Sequence, residues 1–105
     1  MIAFDAVLRM VQGVEASELE RWIEARWVRP ERIDSNFLFT EIDVARVHLI
    51  VELKDQLMID EEAMPVVLNL LDQVYALRHR LKALADALDA LPPDIKETLR
   101  THFEV

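Results

Sequence analysis

Cysteine is absent from this chain, and glycine occurs once, at Gly13. Without a thiol there is no disulfide frame, no thiolate metal site and no cysteine nucleophile. One glycine cannot build a phosphate-cradling loop. It also leaves few turn-formers for a large sheet, so an all-α fold is favoured. Serine stands only at positions 17 and 35, and histidine only at His48, His79 and His102. None of them sits in a nucleophile elbow or a zinc-protease pattern, so neither an enzyme nor a cofactor is expected. Cations are scarce too: 12 Lys and Arg face 20 Asp and Glu, a formal charge of −8. Nucleic acid is gripped by clustered cations, so this balance argues against it and for a basic protein partner. No uncharged run approaches membrane-spanning length, and Met1–Asp5 lacks the basic start and apolar run of a signal peptide. No membrane contact and a cytoplasmic location are the expectation.

What is present is apolar residues at 52% of 105, enough for one compact unit with a core. The longest pattern is Val67, Leu70, Val74, Leu77, Leu81, Leu84, Leu88 and Leu91. This alternating 3,4 spacing is the a/d seam of a coiled coil over more than three heptads, uninterrupted by Pro or Gly. A lone helix cannot hide such a seam. It packs either on the chain's own globular part or on the same helix of a second copy, and the small size of the domain favours a homodimer. The e and g positions include Arg78 and Arg80 but no acid to pair with them, so spacing alone leaves the orientation open. Val66, Leu68 and Leu71 widen the N-terminal half, which suggests contact with more than one helix. Ala83, Ala85, Ala87 and Ala90 narrow the C-terminal half.

Upstream, Phe4, Val7, Leu8 and Val11 share one face and predict a helix over 2–12, with Gly13 as its C-cap. A second helix carries Leu19, Trp22, Ile23 and Arg26–Trp27 inward, faces Glu18, Glu20, Arg21 and Glu24 outward, and ends before Pro30. Two helices joined by so tight a turn form a helix-turn-helix. Residues 31–39 read as a small hairpin, with Asp34-Ser35-Asn36 as its turn. Phe39 packs beneath it. Phe37 either covers the rim of the core or offers an exposed aromatic contact. Thr40 and Asp43 form a near-capping-box for a third helix over 41–57. That helix has one apolar stripe of Ile42, Ala45, Leu49 and Leu53 and another of Val44, Val47 and Val51. His48 and Glu52 stand at i,i+4 with Asp55 a turn on, a spacing that can hold a metal but that reads more simply as a solvated stripe. Asp60 caps a further helical start, Pro65 lies too deep in it to be harmless and makes the chain begin afresh or kink, and the long helix runs from Val66 to about Leu91. Pro92-Pro93 stop it, and 94–103 form a short amphipathic helix. This organisation gives a module over 1–59 and a helical dimerisation region over 60–105.

Gly13-Val14, Leu19, Trp22, Pro30 and Arg32, followed by a wing and Asp43, resemble the N-terminal domain of MerR-type regulators. The resemblance implies a winged helix-turn-helix leading to an antiparallel dimer coil. Two positions depart from the DNA-binding pattern: Glu20 and Phe37 stand where that pattern carries Arg. A cation replaced by Glu beside a phosphate adds repulsion. Asp43, Arg46, Ile50 and Leu53, and the run Val66–Asp72, resemble the CbpM-like chaperone modulators, a MerR-related family. That resemblance implies a non-catalytic regulator that binds the J domain of a DnaJ-like co-chaperone and restrains its stimulation of Hsp70. Glu18, Glu20, Glu24, Glu31 and Asp34, chosen on charge, are candidates for that contact, with Phe37 beside them. Two rivals are a DNA-binding regulator using Arg21, Arg26, Arg29 and Arg32, and a bare dimerisation module.

Overall fold

A computed structural model describes residues 1–103. Among them are five helices and a small antiparallel sheet. The order is β1 (Ile2–Ala3), α1 (Phe4–Met10), α2 (Ala16–Glu24), β2 (Glu31–Ile33), β3 (Asn36–Phe39), α3 (Glu41–Asp55), α4 (Met64–Asp89) and α5 (Pro93–Phe103). They fall into two compact units, Met1–Leu68 and the residues from Asn69 onward.

The expected helix from Ile2 begins two residues later. Ile2 and Ala3 instead pair with Phe39 and Leu38, giving the sheet order β1-β3-β2. The hairpin leaves one edge of β3 unpaired, and these two residues satisfy its backbone groups. β2 and β3 pair antiparallel across a two-residue turn, Asp34-Ser35, with Asp34 at φ +57°. Asn36, expected in the turn, is already in the strand opposite Ile33.

Gly13 lies beyond the end of α1 rather than at its cap. Val11 ends the helix in extended backbone, with its side chain in the core. Gly13 then makes the turn at φ +91°, where a Cβ would meet Val51 Cγ1 at 3.1 Å and Asp55 Oδ2 at 3.2 Å. No other residue combines that backbone with that clearance.

α2 ends in a Schellman turn. Arg26 N–H donates to Ile23 O at 3.0 Å and Trp27 N–H to Trp22 O at 2.9 Å. Arg26 holds the left-handed position at φ +66°, a place glycine usually takes. The apolar contact that accompanies such a turn is the Trp22–Trp27 stack, with centroids 6.4 Å apart.

The Thr40–Asp43 capping box forms as read. Asp43 N–H donates to Thr40 Oγ1 at 3.1 Å, and Thr40 N–H donates to Asp43 Oδ2 at 2.9 Å. α3 stops at Asp55, short of the expected Leu57. It buries Val44, Val47, Ile50 and Leu53, while Ile42 is 80% exposed. The Val44, Val47 and Val51 stripe is buried or packed against the core, whereas the other is split, with Leu53 buried and Leu49 packed against the core but Ile42 outside; Ile50, in neither stripe, is fully buried. A helix packed on by several elements buries more than half its circumference, and every third residue walks around that arc.

Asp60 starts the next helix. Its Oδ1 accepts from Ala63 N–H at 2.8 Å and its carbonyl from Met64 N–H at 3.0 Å. α4 therefore begins at Met64, two residues before Val66. Pro65 sits in its first turn, where a missing N–H costs nothing. The core of the first unit is wholly apolar. Trp22, Phe39, Leu19, Ile50 and Met64 are its largest fully buried side chains.

Candidate interaction surfaces

The acidic candidates divide into two groups. Glu18 is half-buried on α2 and accepts a hydrogen bond from Lys54 Nζ of α3 at 2.8 Å. Burial pushes its carboxyl up, but the Lys54 and Glu15 N–H hydrogen bonds and the Lys54 and Arg21 charges outweigh burial, so it titrates below the usual range. The Glu18 hydrogen bond in turn raises Lys54 against the opposing effect of burial, helped by the charges of Glu18, Asp55 and Glu15. Lys54 also donates to Gly13 O at 3.3 Å and lies 5.7 Å from the Trp22 ring centroid. Glu18 thus ties α2 to α3.

Glu20 and Glu24, at i,i+4 on the outer face of α2, are exposed and make no ion pair among the described residues. Glu31 and Asp34 are exposed on the hairpin. Phe37 is half-buried and packs against the core, and Arg32 lies 5.5 Å from its ring centroid. It therefore covers the rim of the core, with Arg32 over its ring. Among the cations, Arg21 is bound to Glu61. Arg29 Nε donates to Arg26 O at 3.4 Å, and both arginines are exposed.

The second surface is α4. Leu70, Val74, Leu77, Leu81, Leu84 and Leu88 are 39–65% exposed and Val67 is half-buried. Leu91, expected as the last seam residue, is half-buried beyond the end of α4 at Asp89, because Pro92-Pro93 stop the helix earlier than its spacing indicates. Tyr75 and His79, off the seam, pair at 3.1 Å between Oη and Nε2. α5 lies along the last turns of α4. Leu84 and Leu88 of α4, with Leu99 and Phe103 of α5, line an apolar groove of about 440 Å³ rimmed by Lys96, Arg100 and Asp89. Sequence reasoning found the seam but missed both this groove and the Lys54 tie. The groove's signal was present in the pairing of Leu99 and Phe103 on one face of 94–103.

Among the described residues no group of three His, Asp or Glu side chains could hold a metal ion. No helix among them is long and apolar enough to cross a membrane.

The family model of MerR HTH family regulatory proteins matches this chain over residues 2–86. The chain belongs to that family. No curated protein and no solved structure matches it. The MerR match takes in the first unit and most of α4, and stops before α5.

Proposed function

We propose that this MerR-family chain is a non-catalytic, cytoplasmic regulator that binds the J domain of a DnaJ-like co-chaperone and restrains its stimulation of Hsp70. It resembles the CbpM-like modulators in this. The observation that carries the reading is Glu20 and Glu24, side by side on α2 with no partner of their own. Glu20 stands where the DNA-binding pattern carries Arg, and Glu24, chosen on charge, lies one turn on. A J domain presents a basic helix to Hsp70, and an acidic surface of this shape competes for it. The mechanism is occlusion, both steric and electrostatic, with two copies joined through the α4 seam.

The test is titration of the isolated J domain at low ionic strength. Glu20→Arg with Glu24→Arg weakens binding by roughly tenfold or more, chiefly through a slower association rate. Unchanged affinity removes this face from the contact. The exposure of Arg26, Arg29 and Arg32 favours a second reading, DNA binding. That reading requires retardation of duplex at micromolar protein with a steep salt dependence.

A further inference from the structure

The groove between α4 and α5 has a shape and a charge that a second copy of this chain satisfies. We propose that it is a socket for the N-terminal half of α4 from that copy, receiving Leu71 and Tyr75; this rests on the seam pairing proposed above.

The orientation follows from charge. Asp60, Glu61 and Glu62 lie directly before α4, and only Glu61 is offset by a cation, Arg21, among the described residues. Parallel pairing sets two such clusters side by side. Antiparallel pairing separates them by the length of the seam, about 32 Å over Val67–Leu88 at 1.5 Å per residue. That is several times the Debye length of about 8 Å in physiological salt. Antiparallel pairing about His79 also leaves no layer empty. Leu70 faces Leu88 of the second copy, Val74 faces Leu84, and Leu77 faces Leu81.

In this register Leu84 and Leu88, the floor of the groove, meet the half of α4 that is too wide for a two-helix seam. An a/d stripe covers one partner helix, whereas an added apolar flank needs a second. Leu71 and Tyr75 form such a flank, and both are exposed. They occupy heptad positions e and b. Ala85 and Asp89 occupy the same two positions near the other end of α4, and Asp89 itself lines the groove. Antiparallel helices bring like flanks together, so Leu71 lies opposite the small Ala85 and beside α5. Leu99 and Phe103 then close over it.

The rim agrees. Lys96 and Arg100 border the groove, and residues 64–77 contain no Lys or Arg. Each dimer has two such sockets. They depend on α5, the element beyond the stretch shared with the family.

The test is a double-mutant cycle on the full chain, with the dimer dissociation constant read by sedimentation over a dilution series. Leu71→Ala and Leu99→Ala each weaken the dimer by roughly 3- to 10-fold, and the double variant is weakened far less than the product of the two. Circular dichroism checks that helicity is kept. A dimeric wild type whose dissociation constant ignores Leu99→Ala, or a double variant equal to the product, overturns the socket and leaves the seam standing. A wild type that stays monomeric at every concentration overturns both.

Discussion

Replacing Glu18 by Gln isolates the tie between α2 and α3, because the side chain keeps its shape and loses its charge. The carboxylate accepts from Lys54 Nζ at 2.8 Å, with the two side chains 20% and 27% exposed. An exposed ion pair contributes about 0.2–1 kcal/mol, and a hydrogen bond to a charged group about 1.5–3 kcal/mol. Burial here is intermediate, and Lys54 keeps its Gly13 and Trp22 contacts. The loss at neutral pH is therefore about 1 kcal/mol. Its pH dependence has a fixed sign. The folded carboxyl titrates below its unfolded value, so its contribution is full above the unfolded pKa and disappears as pH falls through the folded one. The raised Lys54 adds an upper limit: its share is full below the unfolded lysine pKa and is lost as pH rises through the folded value. Urea unfolding at fixed protein concentration, from about pH 3 to 9, reads this directly, because dimer formation makes stability depend on concentration. The stability gap between wild type and Glu18→Gln should close on acidification. A variant as stable as wild type at pH 7, or a gap that widens in acid, refutes the assignment. Glu18→Gln should also leave J-domain affinity near wild type, since this carboxylate is already engaged.

Gly13→Ala should cost about 1–3 kcal/mol in urea unfolding, from a positive φ and contact with Val51; loss of less than about 0.5 kcal/mol contradicts the strained turn. Thr40→Ala removes the reciprocal cap of α3 and should cost about 1 kcal/mol, read as a lower Tm. Arg80→Gln should tighten the dimer about twofold at low salt and by less at high salt, because antiparallel pairing about His79 brings the two copies' Arg80 side chains together. A dimer unchanged or weakened by Arg80→Gln speaks against that register.

Side chains that act locally were the easiest to read. Thr40 and Asp43 are three apart, and their capping box needs nothing else. Trp22 falls in the core as its spacing indicated, and the α4 seam stands out because 3,4 periodicity needs no knowledge of the rest of the fold. Contacts between distant positions were not legible. β1 exists because Phe39, 37 residues from Ile2, needs a neighbour on its free edge. Glu18 reads from its spacing as one of the outward acids of α2, because its partner Lys54 lies 36 residues on. Ile50 falls in neither apolar stripe of α3, because the buried face, Val44, Val47, Ile50 and Leu53, steps across both of them. Arg26 gives no sequence sign of left-handed backbone, since its Schellman turn is held by the Trp pair around it rather than by a glycine.

The most direct measurement of the proposed function is the ATPase rate of Hsp70 stimulated by the J-domain protein, with this chain titrated in. The account predicts a fall toward the unstimulated rate, saturating as J domain is sequestered, and a much weaker effect from Glu20→Arg with Glu24→Arg. A stimulated rate that holds steady at saturating protein, beside tight retardation of duplex DNA by the same preparation, contradicts it.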